Sequence, residues 1–277
     1  MILEMVELLI PSFQVGLAQI DIEYGDKDHN LATALDIIDQ QSDLDILIFP
    51  ELFLTGYDLT RKHELAVDLS AAPEIDELRQ AAAKAKSVVI GTVITPWDKQ
   101  FANTLFVINW DGQIVSEYKK AHLFRLMDEH HHFRPGKAFE VVTLSPKETQ
   151  KETISLGLAI CYDLRFPEMF RKLRLMGAEF FVIPAEWPAP RIDHWVALAR
   201  ARAIENQCYV LAVNRVGSDP NNLFGGKSLA VGPTGEILTF LEDEEVVGVV
   251  HVESFDLEAY QVKLPVIRDR RPDIYGI

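Results

Sequence analysis

A cysteine, a glutamate and a lysine in this sequence stand where their side chains could act on a substrate. Cys161 follows a short apolar run that begins at Thr153, and Pro167 then starts a helical pattern. Cys161 therefore lies where a strand gives way to a helix, and such a turn exposes a side chain beside backbone N–H groups that can bind an anion. The pattern indicates a nucleophilic thiol, although the spacing alone also fits a small buried cysteine.

Two further charged side chains are hard to explain as parts of a core. Glu51 follows one of the most apolar runs of the chain, residues 46–50, so a carboxylate terminates a predicted strand. Lys119 and Lys120 lie in another predicted strand, whose alternation sends them to opposite faces, so only one can point into a site. Taken alone, each stretch has a simpler alternative: a loop or helix-cap residue for the glutamate and a surface ammonium for either lysine.

Strand and helix patterns alternate along the chain, which predicts a mixed α/β fold without internal repeats. The predicted helices are His29–Gln41, Glu74–Lys86, a segment from Pro167 to Met176, and Ile192–Asn206. The predicted strands are Phe13–Ile22, Asp45–Phe49, Val88–Ile94, Asn103–Asn109, Gln113–Leu123, Thr153–Ile160, Phe180–Ile183, Tyr209–Val213, Gly225–Val231, Glu236–Leu241 and Val246–Val252. Asp111-Gly112 and Pro233-Thr234-Gly235 predict hairpin turns.

Length and charge limit the classes of function. The chain has 277 residues, of which 48% are hydrophobic, so it can bury a large core. No boundary in the sequence favours two domains, and we expect one domain over residues 1–277, with a core of about 12–255 and a C-terminal tail of 256–277. The net charge of −15 and the pI near 4.9 argue against nucleic acid or a membrane as partner, because both attract basic surfaces.

The cysteines and the N-terminal residues bear on the compartment. Cys161 and Cys208 are too few for a disulfide framework, so a cytoplasmic location fits better, and Cys208 is expected to be a buried packing residue. Residues 1–11 are apolar, but Glu4 and Glu7 interrupt them and no basic residue precedes them. We expect a terminal extension there rather than a signal peptide or a membrane span.

Three separated motifs occur in one order along the chain. They are Pro50-Glu51 after an apolar strand, Lys120-x-His-Leu after a hairpin, and the stretch from Cys161 to Glu168 after another strand. In these motifs the chain resembles the nitrilase superfamily of carbon-nitrogen hydrolases, from Gln14 to Tyr275. The resemblance implies a four-layer αββα sandwich within the α/β class, a homodimer of eight layers, and a C-terminal tail that packs on the partner subunit.

The catalytic residues of the family correspond to particular positions in this sequence. Its glutamate, lysine and cysteine fall on Glu51, Lys120 and Cys161. The family lysine lies two residues before His-Leu, which selects Lys120 rather than Lys119. A second family glutamate lies six residues before a Pro-Gly pair, and Glu129 matches that position.

The resemblance also implies a role for each of these residues. A free thiol has a pKa of about 8.5, so little of it is thiolate at neutral pH. Glu51 would take the thiol proton as a general base, and Lys120 would stabilise the thiolate and the later oxyanion. The backbone N–H of Tyr162, the residue after Cys161, would be the second oxyanion donor. Glu129 would hold Lys120 or the substrate in position.

Histidines offer two competing schemes. A papain-like pair would use His122 with the cysteine, but we interpret His122 as structural, because it shares a face with Lys120 only while the strand stays regular. Residues 129–132, a glutamate followed by three histidines, invite a metal hypothesis. Consecutive histidines rarely converge on one ion, and no other metal-ligand spacing is present. We therefore expect no metal and no cofactor, and a solvated or substrate-gating loop at this position.

Within the superfamily, three stretches resemble the omega-amidases, which release ammonia from the terminal amide of 2-oxoglutaramate or 2-oxosuccinamate. They are residues 122–130, the stretch 184–188 that contains Glu186 and Trp187, and residues 203–208. The resemblance implies a small amide as substrate and places Glu186 and Trp187 beside it. Glu186 departs from relatives that often carry Asn or Gln, and an added acid near the pocket would disfavour an anionic substrate.

A carboxylate-bearing substrate needs a cation. Arg165 stands four residues after the cysteine, at a position that binds the substrate carboxylate in related carbamoylases, and an ion pair with Glu168 is its alternative. Arg191 and Arg215, on strand-end loops, are weaker candidates. A hydrolase of N-carbamoyl compounds, an aliphatic amidase or a nitrilase would use the same three residues. A non-catalytic interaction protein would be expected to lose one of them, and all three are present.

Overall fold

The computed structural model describes residues 9–10, 12–146, 153–253 and 255–275. Its strands are β1 Leu9–Ile10, β2 Phe13–Gln19, β3 Ile46–Ile48, β4 Val88–Trp97, β5 Gln100–Ile108, β6 Ile114–Lys119, β7 Glu140–Leu144, β8 Ile154–Leu158, β9 Phe180–Ala185, β10 Tyr209–Asn214, β11 Leu229–Val231, β12 Ile237–Phe240, β13 Val246–Val252 and β14 Phe255–Asp256. Its α-helices are α1 Lys27–Gln40, α2 Lys62–Leu65, α3 Pro73–Ala85, α4 Glu129–His132, α5 Pro167–Leu175, α6 Ile192–Asn206, α7 Leu257–Lys263 and α8 Pro272–Tyr275.

Two six-stranded sheets form the centre of the fold. The first has the order β13-β2-β3-β4-β5-β6 and the second β12-β11-β10-β9-β8-β7. Strand alternation divides the residues of the first sheet between two cores. Ile46 and Ile48 of β3 face the core shared with the second sheet, whereas Leu47 packs with α1 and α3.

The second sheet is covered by helices in the same way. Leu173 of α5 and Ala199 of α6 belong to the same buried cluster as β8, β9 and β10, and Leu173 packs against Gly157 of β8. The ring centroids of Phe13 and Phe180, one from each sheet, lie 5.5 Å apart. The layers therefore run helix, sheet, sheet, helix, which confirms the predicted αββα sandwich.

Local chemistry explains where several elements begin and end. The Asp26 side chain accepts a hydrogen bond from the backbone N–H of His29 and caps α1. Pro167 occupies the first turn of α5, where a missing N–H costs nothing. Gln207 adopts the left-handed conformation that ends α6. The predicted bounds Ile192–Asn206 and Val246–Val252 match the structure.

Other predictions of local structure were wrong. The strand predicted to reach Leu123 ends at Lys119, because Tyr118 Oη and Asp163 Oδ1 accept the backbone N–H groups of the next residues, 121 and 122. Strand β11 starts at Leu229 rather than Gly225. Strand β7 and helix α7 were not predicted at all.

The predicted N-terminal extension falls partly outside the described residues, which omit 1–8 and 11. Leu9 and Ile10 pair antiparallel with Asp256 and Phe255. In the ranges that the structure describes, every helix is too short or too polar to cross a membrane.

Candidate active site

Cys161 opens a tight turn directly beyond the second sheet. Strand β8 ends at Leu158, and a 3₁₀ turn spans Cys161–Arg165. Cys161 has a left-handed backbone (φ 45°), which is unusual for a residue with a side chain. Its thiol is almost fully buried, and the peptide N–H of Tyr162 follows it in the turn.

Glu51 lies beyond the end of β3, and hydrogen-bond donors surround its carboxylate. Oε1 accepts from Lys120 Nζ at 2.7 Å, Asn103 Nδ2 at 2.8 Å and Tyr57 Oη at 2.9 Å. Oε2 accepts from the backbone N–H of Glu186 at 2.9 Å. Glu51 is therefore a fully buried acceptor, a role that suits an ionised carboxylate.

Lys120 joins two buried carboxylates. Its Nζ lies 2.7 Å from Glu51 Oε1 and 2.8 Å from Glu129 Oε2, and all three side chains are 0% exposed. Burial alone would lower the pKa of Lys120, but the charges of Glu129 and Glu51 raise it above its ordinary value. Lys120 is consequently a permanent cation, held between two acids.

Lys119 points the other way, as the strand alternation predicts. Its Nζ lies 3.3 Å from Glu117 Oε2 and 5.6 Å from the Trp97 ring centroid, and its side chain is partly exposed. Gly136 packs against this stretch so closely that a Cβ there would lie 2.0 Å from the Lys119 carbonyl oxygen. The Gly136 N–H donates to the Lys120 carbonyl at 2.8 Å, so the Pro-Gly pair helps to fix the lysine.

Glu129 begins the single turn of α4, directly after the left-handed residue Asp128 (φ 57°). Its Oε2 also accepts from the Phe124 backbone N–H at 2.5 Å. Burial raises the pKa of Glu129, and the charge of Lys120 opposes that rise. The structure therefore brings together the predicted residues Glu51, Lys120 and Glu129 in one cluster.

The backbone of one residue, Glu186, connects this cluster to the thiol. The Glu186 backbone N–H donates to Glu51, and the Glu186 carbonyl oxygen lies 3.9 Å from Cys161 Sγ. Burial raises the pKa of the Cys161 thiol well above its ordinary value, and the nearby charge of Glu51 raises it further, while the charge of Lys120 opposes the rise. The resting sulfur is thus a neutral thiol next to a potential base.

A narrow cleft opens onto the thiol. It is lined by Phe124, Cys161, Tyr162, Arg165, Trp187, Pro188 and Arg191. The Arg165 guanidinium lies 4.7 Å from the Trp187 ring centroid and 3.4 Å from His194 Nδ1, so the alternative ion pair with Glu168 does not form. Burial lowers the pKa of Arg165, and the charge of Arg191 lowers it slightly further. Two guanidiniums therefore face one cleft.

A family model described as Carbon-nitrogen hydrolase matches residues 14–261. The chain belongs to this family. A 2-oxoglutaramate amidase of Bacillus subtilis (strain 168) is 40% identical to it over 264 residues, which cover 94% of this chain and 98% of that protein. The resemblance to carbon-nitrogen hydrolases is thereby confirmed.

Solved structures share the architecture. A CN-hydrolase superfamily protein from Xanthomonas campestris, with an arsenic adduct in its active site, superposes with a TM-score of 0.84 at 27% identity, covering 95% of this chain and 98% of that one. A mutant amidase from Nesterenkonia sp. AN1, whose active-site cysteine carries the acetamide moiety of fluoroacetamide, gives a TM-score of 0.83 at 25% identity, covering 95% of each chain. The protein is accordingly an enzyme, a carbon-nitrogen hydrolase with a nitrilase-like fold.

The Glu186 side chain, which the sequence placed beside the substrate, does not line the cleft at Cys161. Its side chain is fully buried, and Oε2 accepts from Arg215 Nη1 at 2.9 Å. Burial raises the pKa of Glu186 to about 8, while Arg215 opposes the rise. Arg215 also lies 2.6 Å from Asp21 Oδ1, so it is not available for a substrate carboxylate. This hydrogen bond from Arg215 anchors the residue whose backbone links Glu51 to Cys161.

Two residues of the hydrolase site were missed by the sequence analysis. Tyr57 Oη lies 2.9 Å from Glu51 Oε1 and 3.2 Å from Glu129 Oε1, and Asn103 Nδ2 reaches the same two oxygens at 2.8 and 3.4 Å. Burial raises the pKa of Tyr57 well above its ordinary value, as do the charges of Glu129 and Glu51, so it remains a donor. Asn103 could have been noticed as an amide inside an apolar strand, whereas nothing in the sequence marks Tyr57.

His122 contacts an acid in the Cys161 turn. Its Nδ1 lies 2.7 Å from Asp163 Oδ1, and its ring stacks on Phe166 with centroids 3.8 Å apart. Asp163 Oδ2 accepts from the Tyr118 hydroxyl at 2.8 Å. These contacts fit a structural role for His122, because they tie the Cys161 turn to the segment that carries the lysine.

The arrangement of the three histidines at 130–132 differs from the expectation that consecutive histidines point away from one another. His130 and His131 do converge, with ring centroids 3.8 Å apart, and together with Asp128 they offer ligand atoms within 4.8 Å of one another. They can do so because α4 is a single turn preceded by the left-handed Asp128. His132 is separate, since its Nδ1 lies 2.9 Å from Lys62 Nζ.

Proposed function

We propose that this hydrolase cleaves the terminal amide of a small carboxylate-bearing substrate through a thioester on Cys161, releasing ammonia. The observation that carries the proposal is the placement of a buried Glu51–Lys120–Glu129 cluster beside the thiol, with the Glu186 peptide between them. A base, a permanent cation and a neutral nucleophile within one buried site are what acyl transfer requires.

In the acylation step, Glu51 takes the proton of Cys161 as the sulfur attacks the amide carbon. The carbonyl oxygen becomes an oxyanion, which the Lys120 ammonium and the Tyr162 N–H stabilise. Glu51 then gives its proton to the amide nitrogen, the C–N bond breaks, and ammonia leaves. The substrate acyl group remains bound to sulfur as a thioester.

In the deacylation step, water replaces ammonia. Glu51 takes a proton from the water as its oxygen attacks the thioester carbon, and the C–S bond breaks. The proton returns to the sulfur, which restores the neutral thiol. Glu129 acts through Lys120, because its carboxylate lies 2.8 Å from the ammonium and fixes the position of that charge.

The two guanidiniums of the cleft favour a substrate with a carboxylate. Arg165 and Arg191 line the cleft, and the Arg165 guanidinium contacts His194 and the Trp187 ring rather than an acid. Burial lowers the pKa of Arg165, and a bound anion would stabilise its charged form through charge-assisted hydrogen bonds. The relative from Bacillus subtilis is a 2-oxoglutaramate amidase, and we propose 2-oxoglutaramate or a similar omega-amide as substrate here.

Ammonia release by the purified protein tests this function. We expect release from 2-oxoglutaramate and succinamate, and little from an N-carbamoyl amino acid or a neutral aliphatic amide. Cys161→Ala keeps the Cβ and removes the sulfur, so it is expected to fold and to release nothing. The amount of ammonia released is measured for each substrate, and mass spectrometry detects the acyl-enzyme trapped on Cys161.

Other outcomes would change the proposal in defined ways. Ammonia with carbon dioxide from the N-carbamoyl compound alone would identify a carbamoylase and overturn the substrate class. Equal turnover by Cys161→Ala and the unaltered protein would overturn the thioester mechanism.

Arg165→Ala is expected to separate acidic from neutral substrates. A hydrogen-bonded charge contributes about 1.5–3 kcal/mol, so KM for 2-oxoglutaramate should rise by roughly 10- to 100-fold. KM for a neutral amide of similar length should stay the same, because it makes no contact with the guanidinium. Steady-state kinetics on both substrates measures the difference, and an equal rise for both would assign Arg165 a structural role.

We propose in addition that the chain forms a homodimer through the outer face of α5 and α6. Leu175, Met176 and Ile204 are 50%, 43% and 49% exposed on that side, although they are apolar. A solution mass of twice 31.3 kDa would support this arrangement, and a monomeric mass would contradict it. The reaction needs a reduced thiol at Cys161, which favours the cytoplasm.

A further inference from the structure

The turn around Glu129 presents a group of side chains that the amidase chemistry does not use. Asp128, His130 and His131 offer one carboxylate oxygen and two imidazole nitrogens, all within 4.8 Å of one another. None of the three lines the cleft at Cys161. We propose that Asp128, His130 and His131 bind a divalent transition-metal ion, at a site distinct from that cleft.

The ligand types decide which metal fits. Two imidazoles and a carboxylate are the ligands of zinc and its neighbours, whereas magnesium and calcium prefer oxygen alone. Ligand atoms around a tetrahedral zinc ion lie about 2.0–2.1 Å from the metal and ~3.4 Å from one another. Small rotations of the three side chains would bring their ligand atoms from within 4.8 Å to that separation. Zn²⁺ is therefore the probe of choice.

An unpaired nitrogen supports the site independently. His130 Nδ1 is buried and has no hydrogen-bond partner. Buried polar atoms without partners are rare, and coordination to a metal ion would satisfy this nitrogen.

The neighbouring residues are committed elsewhere, which limits the site to three ligands. Glu129 turns inward and its Oε2 lies 2.8 Å from Lys120 Nζ. His132 Nδ1 lies 2.9 Å from Lys62 Nζ, so an ammonium occupies the position that a metal would need. An ion bound by the residues on both sides of Glu129 would clamp the turn that carries it.

Titration of the protein with ZnCl₂ tests the site, and His132, in the same run of histidines, provides the control. The protein is prepared without a polyhistidine tag, treated with a chelator and dialysed, and heat of binding and thermal midpoint are recorded. We expect one Zn²⁺ per chain and a higher midpoint, because the ion binds the folded form. His131→Ala and Asp128→Asn should each weaken binding by more than tenfold, whereas His132→Ala should bind as the unaltered protein does.

Three results would overturn the proposal. The first is no binding of Zn²⁺ to the unaltered protein. The second is an equal loss of Zn²⁺ affinity in His132→Ala and His131→Ala, which would mean that any two neighbouring histidines of the run chelate the ion. The third is equal binding of Mg²⁺, which would indicate simple attraction to acidic groups. Asp128→Asn keeps the test valid if a histidine variant misfolds, and amidase activity plays no part in the readout.

Discussion

Replacing Lys120 by methionine is expected to abolish amide hydrolysis and to destabilise the fold. Methionine keeps much of the volume but removes the charge that separates Glu51 from Glu129. The oxyanion then loses its cation, and two buried carboxylates face each other without compensation. Removing one member of a buried ion pair costs about 3–5 kcal/mol, so the thermal midpoint should fall clearly along with turnover.

Lys119→Met is the matched control. Its ammonium contacts Glu117 at the surface, and pairs of that kind contribute only about 0–1 kcal/mol. We expect turnover and thermal midpoint close to those of the unaltered protein. Ammonia release and thermal unfolding of both variants check the prediction, and an equal loss of activity in the two would contradict the assignment of Lys120 to the site.

Glu51→Gln is expected to lower kcat by about 10³-fold, within the range of general acid–base catalysis. The four groups that contact the Glu51 carboxylate all donate hydrogen bonds to it. A glutamine places its own N–H₂ against one of these donors and cannot accept the thiol proton. Both the attack on the amide and the activation of water should therefore fail.

Glu129→Gln provides the comparison for this variant. Glu129 contacts the same ammonium, but it is Glu51 that accepts from the N–H of Glu186, the residue whose carbonyl lies 3.9 Å from Cys161 Sγ. We expect a smaller loss of kcat in Glu129→Gln than in Glu51→Gln, measured by ammonia release and by acyl-enzyme formation in a single turnover. Equal losses would show that Glu51 serves only as a counter-ion of Lys120, and its role as the base would have to be abandoned.

The sequence predicted those parts of the site that local pattern determines. Strand alternation separates Lys120 from Lys119, and a strand followed by Pro167 marks the turn at Cys161. The α/β class and most helix and strand positions follow from the same periodicity. The sandwich itself, and the correspondence of Glu129, came from the resemblance to a family.

Local sequence patterns could not predict contacts between residues that are distant in the sequence. The pairing of Glu186 with Arg215 joins two residues 29 positions apart, and it changes the glutamate from a cleft acid into a support of the backbone. Tyr57 reaches Glu51 from a loop, and Asn103 reaches it from β5, which β4 separates from β3 in the sheet. Their roles depend on the packing of the sheets, which no local window contains.

Laboratory evolution of this hydrolase would meet a conflict at its active site. Three residues at the site have a left-handed backbone. Leu52 follows Glu51, Asp128 precedes Glu129, and Cys161 carries the thiol itself. Each such conformation costs of order 1–3 kcal/mol, which a glycine would largely avoid. A library selected only for heat resistance should therefore accumulate glycine at 161, and those members would have lost the thiol on which the proposed reaction depends.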